Sequence, residues 1–214
     1  MSLLRRATAY EAAMWRGLFR WIARRPREMA PGDAAFGHGG PVKPIFAVFI
    51  VLSALEIPIF DFVISRLVPW PVVRYIVLVA GVYGLIWMIG ALGALLTSPH
   101  LVGAAGIRVR DGLFVDVTIP WDAVASVGHR YRGLASSRRV EVERAGDRLL
   151  LHLATGSQTN VDVVLRRPLA LTVPKGPDEP VNEVRFYADD PKALVALARE
   201  YVGRDESSPE RAGR

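Results

Sequence analysis

The chain has 214 residues, 51% of them hydrophobic, a larger share than a wholly water-facing fold carries. It contains no cysteine, which excludes a disulfide framework, a thiol nucleophile, an iron–sulfur cluster and any thiolate zinc site. The net charge of +6 is unevenly spread: residues 1 to 43 hold eight basic and three acidic side chains, whereas residues 97 to 214 hold 17 and 16.

Residues 1–27 read as a basic amphipathic helix. At 100° per residue, Leu3, Leu4, Met14, Trp15, Leu18 and Trp21 fall on one half of the wheel and Arg5, Arg6, Arg16, Arg20 and Arg24 on the other. This pattern predicts a helix in the headgroup plane, with Arg5, Arg6, Trp15, Arg16, Arg20, Trp21 and Arg24 at the lipid interface. Each basic residue there contributes about 1 kcal/mol against anionic lipid. Glu11 and Arg25 break the pattern, and Pro26 ends it. Residues 28–43, with Pro31-Gly32 and Gly37-His38-Gly39-Gly40-Pro41, are expected to form a flexible linker.

Residues 44–96 predict a hairpin of two transmembrane helices, Pro44 to Leu67 and Val72 to Leu96. At about 1.5 Å per residue, each crosses a hydrocarbon core of roughly 30 Å. Val68-Pro69-Trp70-Pro71 supplies the turn, with Trp70 as an interfacial anchor. Arginines are dense before the first span and follow the second at Arg108 and Arg110, while only Arg66 and Arg74 frame the turn. The positive-inside rule therefore places both termini in the cytoplasm and the protein in the inner membrane. Arginines interrupt every apolar run of the first 25 residues, so no cleaved signal peptide is expected.

Four polar residues of the spans stand out. A carboxyl at mid-membrane costs about 2.5 kcal/mol or more and is normally paired, neutral or functional. Counting outward from the turn puts Glu56 level with Tyr83, so Glu56 is expected to hydrogen-bond Tyr83 or a neighbouring subunit. Asp61 lies elsewhere on the same helix, nearer the turn, with Arg74 as its candidate partner. Ala80, Gly84 and Ala91 share a face that permits close backbone approach; packing inside the hairpin is the preferred reading of it over a dimer seam.

Beyond Leu101 the pattern alternates. Strands are predicted near 106–110, 113–118, 124–131, 139–143, 148–153, 161–166 and 182–187, followed by a helix that Asp190-Pro191 opens. Together, residues 97–203 form one cytoplasmic domain of about seven antiparallel strands and a C-terminal helix, and residues 204–214 form a disordered tail. Within the domain, Gly106-Ile107-Arg108-Val109-Arg110-Asp111-Gly112, then Ile119-Pro120-Trp121-Asp122-Ala123-Val124, resembles the start of bacterial pleckstrin-homology-like domains. Asp189-Asp190-Pro191 before the last helix is similar too, and two spans ahead of such a domain resemble a group of mainly actinobacterial membrane proteins. The resemblance covers roughly residues 44 to 203 and implies a small barrel-like sandwich closed by a helix, without a defined activity.

No phosphate loop, dinucleotide glycine pattern, nucleophile elbow or zinc-protease motif occurs, so no enzyme activity and no cofactor is expected. His38, His100, His129 and His152 are scattered without metal-ligand spacing. Trp121 is expected in the core and Asp122 in a turn. The near charge balance past the first helix speaks against nucleic acid. Arg130, Arg132, Arg138 and Arg139 surround an exposed connection that is a candidate contact for anionic headgroups, whereas the turn after Arg108 and Arg110 is too short to cradle one. The resulting expectation is an inner-membrane adaptor or regulatory module whose domain contacts lipid or another protein, with a homo-oligomer as an option. The alternative is an oligomeric transport or channel accessory that uses Glu56 and Asp61.

Overall fold

The computed structural model describes residues 3–23, 29–111, 115–174 and 176–207. The chain forms two compact units: residues 1–25 with 41–97, and residues 26–40 with 98–214.

The first unit is helical: α1 (Leu3–Ile22), α2 (Lys43–Leu67) and α3 (Pro71–Leu96). Both α2 and α3 are long and apolar enough to cross a membrane. Each opens with proline in its first turn, where the missing N–H has no partner to lose, and Pro58 sits inside α2 without ending it. Between Phe46 and Ile64, the half-buried residues of α2 are Phe46, Ile50, Ser53, Ile57, Asp61 and Ile64, and all others are exposed. Spacings of three and four make this a single stripe, the seam against α3. On α3 the seam includes Gly81, where a Cβ would stand 3.1 Å from Ile57 Cγ1.

A different face of α3 receives α1. Met14, Gly17 and Leu18 are buried, and a Cβ on Gly17 would lie 2.6 Å from that of Ala94. Gly90 and Gly93 leave matching notches for Met14 and Trp21, so α1 crosses the last turns of α3 at backbone-limited distance. Thr97 then ends α3 by donating through Oγ1 to the Gly93 carbonyl at 2.9 Å.

The second unit contains two sheets and the helix α4 (Pro191–Ser207). One sheet has the order β1 (Ala34–Phe36), β2 (His100–Gly103), β3 (Gly106–Asp111), β4 (Val115–Ile119), antiparallel throughout. The other comprises β5 (Val124–Gly133), β8 (Gln158–Leu169), β9 (Val181–Phe186), β7 (Arg148–Leu153) and β6 (Val140–Ala145), in that spatial order. A 3-10 turn, Trp121–Ala123, links β4 to β5. Val102, Ile107 and Val109 of the first sheet share a core with Leu151, Val163 and Phe186 of the second, and α4 adds Leu194, Val195 and Ala198. Trp121 joins this core, donating through Nε1 to the Gly103 carbonyl at 2.9 Å and stacking on Tyr201 with ring centroids 5.1 Å apart.

Seven of the nine strands and the last helix lie where the sequence pattern predicts them; β2 is an unexpected strand, and there are three further differences. The sheet is not antiparallel throughout: β9 inserts between the arms of the β7–β8 hairpin, and a strand between two antiparallel arms must run parallel to one, here β7. The expected linker is not a tether, because residues 34–36 form β1 on β2. The last helix runs on to Ser207, into the expected tail, whose residues 208–214 lie outside the described residues.

Candidate functional site

The polar residues of the helices divide into two pairs and one single group. Arg74, in the first turn of α3, grips Asp61 through two hydrogen bonds, Nε to Oδ1 at 2.7 Å and Nη2 to Oδ2 at 2.8 Å. This fork geometry is the strong form of an Arg–carboxylate pair, and it joins the two helices near their turn as the sequence suggests. Tyr83 corrects the other expectation: its hydroxyl donates to Glu11 of α1, not to Glu56. The reason lies in the helix wheel, since Tyr83 shares the face of Gly90 and Ala94 that receives α1, while Glu56 is on α2, flanking its seam. Glu56 is exposed and has no hydrogen bond or ion pair among the described residues. A groove of some 610 Å³ between α2 and α3 is lined by Ser53, Ala80, Gly81, Tyr83, Gly84 and Trp87 among others, and Glu56 is not one of its lining residues.

Of the residues expected at a lipid surface, Arg5 and Arg6 fall in the first part of α1, and Arg24 lies outside the described residues. The apolar face of α1 is divided. Met14 and Leu18 seat on α3, Trp21 rests against Gly93 yet is still 41% exposed, Phe19 (65% exposed) and Ile22 remain outside, and Trp15 is half-buried. Arg16 and Arg20 each fold back along the helix, donating through Nε to the carbonyls of Ala12 and Arg16 at 3.0 and 3.3 Å.

The four arginines of the exposed connection also divide. Arg132 pairs with Asp162, and Arg139 Nη1 lies 3.9 Å from Asp111 Oδ1. Arg130 and Arg138 are exposed, with no charged partner among the described residues. Arg108 is held by Asp116 through bonds of 2.6 and 2.9 Å, and Arg110 is 1% exposed, so neither is offered to a headgroup.

One cluster in the sheet unit has no counterpart in the sequence reading. The segment after β1 places His38 on His100, their rings stacked at 4.5 Å, with His38 Nε2 3.8 Å from Asp111 Oδ1. His100 accepts the Arg110 N–H at Nδ1 and donates from Nε2 to the Tyr187 carbonyl at 2.8 Å, which fixes a neutral tautomer. Burial opposes a charged imidazole and lowers the His100 pKa to about 4; the Tyr187 carbonyl resists that shift only in part. Burial likewise raises the Asp111 carboxyl, against the pull of Arg139. Asp189 completes the clasp, with its N–H on the Gly37 carbonyl at 2.7 Å and its Oδ1 on the Gly40 N–H at 2.6 Å. A Cβ on either glycine would lie within 2.8 Å of that carboxylate and push it aside. The two histidines stack instead of converging, and no group of three metal-binding side chains occurs among the described residues.

Comparisons with protein-family models, with curated proteins and with solved structures find no match to this chain.

Proposed function

We propose that the protein is a membrane-anchored adaptor: α2 and α3 cross the inner membrane as a hairpin and hold a pleckstrin-homology-like domain at the cytoplasmic surface, where it contacts a protein or anionic lipid. One observation carries this reading. Strand β1 precedes the first long helix and pairs with β2, which follows the second, in the register Ala34↔Val102. A sheet cannot form across a bilayer, so a spanning hairpin with this pairing has both flanks on one side. The basic surplus of residues 1 to 43 favours the cytoplasm as that side. Exposed Phe19, Trp21 and Ile22, with Arg16 and Arg20 on the same helix, supply a second membrane contact, and Arg130 and Arg138 are the arginines of the exposed connection open to a partner. The transport reading has less support, because Asp61 is neutralised by Arg74 and Glu56 does not meet it across a shared lumen.

Proximity labelling from the C-terminal end in native membranes tests the adaptor role. The full chain should mark a discrete set of proteins that a hairpin lacking residues 104–214 does not; identical sets would refute it. Membrane-impermeant maleimide tests the topology: on inverted vesicles it should label Ser157→Cys and spare Trp70→Cys.

A further inference from the structure

The helical unit uses two of its faces internally and leaves a third unused. Gly81 of α3 meets Ile57 of α2, and Gly90 and Gly93 meet α1. Gly84 is different: it is exposed, and a Cβ built on it would find nothing within 4 Å. Ala80, one turn earlier, is exposed as well. The small-residue face expected to pack inside the hairpin is therefore not the one that does so. It forms the floor of the groove, and Ser53 of α2 forms its wall.

Helical spacing puts Glu56 one turn from Ser53, on the flank of α2 that borders this groove. Counting outward from the turn between Pro69 and Trp70 sets Glu56 level with Tyr83, next to Gly84, at mid-helix. Neither the Glu56 carboxyl nor the Ser53 hydroxyl has a hydrogen-bond partner among the described residues. In hydrocarbon, a bare carboxyl has no water to turn to and needs a partner that this chain does not provide.

We infer that this face is the seam of a homodimer, in which α2 of a second copy lies in the groove and the Glu56 carboxyl of each copy hydrogen-bonds the Ser53 hydroxyl of the other. The inference rests on the membrane reading above. A second copy fits because the face is self-complementary. A two-fold axis along the membrane normal keeps equal depths together, so each Glu56 comes within a turn of the other copy's Ser53. Each side then offers what the other lacks, twice over, while Ala80 and Gly84 let the backbones approach.

The absence of native cysteine makes single-cysteine crosslinking clean. In oxidised native membranes, Phe49→Cys and Phe60→Cys, on the flank of α2 that carries Ser53 and Glu56, should give a band at twice the chain mass, several-fold stronger than Val51→Cys on the opposite flank. In the Phe60→Cys background, Glu56→Leu should lower the yield about tenfold and Ser53→Ala about threefold, the range of interhelical hydrogen bonds in bilayers, while Glu56→Gln retains it. Equal yields at all three cysteines, no dimer at any of them, a band of another mass, or indifference to Glu56→Leu and Ser53→Ala would each overturn the inference. Alkaline washing of the same membranes separates the two proposals. Protein released by the wash defeats the membrane reading, whereas protein that stays in the pellet without crosslinking defeats only the dimer.

Discussion

The two units solve opposite problems with the same residue types. In the sheet unit, Val102, Ile107, Leu151 and Phe186 are fully enclosed between two sheets and α4, the arrangement that water enforces. In the helical unit, α2 buries no residue at all, and Phe49, Leu55, Phe60 and Phe62 stand outward. Such a helix is costly in water and costless in lipid, where hydrocarbon is as apolar as the side chains. In a bilayer, close backbone approach and a few polar pairs would fix its place, not burial of area.

The sharpest way to break this contrast is a matched pair of truncations. Phe186→Ala removes a side chain of 0% exposure and should cost about 3–5 kcal/mol, whereas Phe62→Ala, at 60% exposure, should stay within about 0.5 kcal/mol. Thermal unfolding in detergent measures both, and equal losses would erase the distinction. Next is acid sensitivity, which belongs to the sheet unit. His100 is held neutral when folded, with its pKa lowered to about 4 from 6.5, so the unfolded chain binds more protons between those values. Stability from this group is complete above about pH 6.5 and is lost as pH falls toward 4, on the order of 3 kcal/mol in all. Asp111, raised by burial, acts in the opposite sense, losing stability as pH rises through its window, so Asp111→Asn should steepen the slope. Unfolding midpoints from pH 7 to 4.5 should flatten in His100→Gln whatever its absolute stability; an unchanged slope would reassign the effect.

A smaller loss is expected at the helix crossing. Gly17→Leu drives a side chain into Ala94 and should cost about 1–3 kcal/mol, read as lost crosslinking between cysteines at Met14 and Gly90. Smallest of all are Arg130→Ala and Arg138→Ala, which should leave stability within about 0.5 kcal/mol. A large drop would mean that these exposed arginines hold the fold.

The long apolar helices were legible because length and composition alone specify them, β4 and much of β8 because half-buried strands alternate, and β3 and β7, buried almost throughout, because the turn signals Asp111-Gly112 and Gly146-Asp147 bound them. Strand β1 was not, since Ala34-Ala35-Phe36 is too short to show a period and exists only through pairing with residues more than sixty positions away. Strand β2 is buried on both faces, so His100–Gly103 shows no alternation either. The Asp61–Arg74 pair followed from counting around the turn. The partner of Tyr83 did not, because counting within a hairpin says nothing of a third helix. His38 and His100 looked scattered for the same reason: only the β1–β2 register stacks them.

The β1–β2 pairing also sets an order of events during synthesis. Residues 34–40 leave the ribosome well before their partners at 100–103, with the whole hairpin between them. On the proposed membrane reading, until both helices have been inserted and the chain has returned, the edge of β2 and the pocket for His38 have nothing to receive. A chain that inserted only one helix would strand the two halves of the sheet on opposite sides of the bilayer, with an unpaired edge exposed to any quality-control protease that inspects it. On that reading, completion of the domain reports on correct insertion.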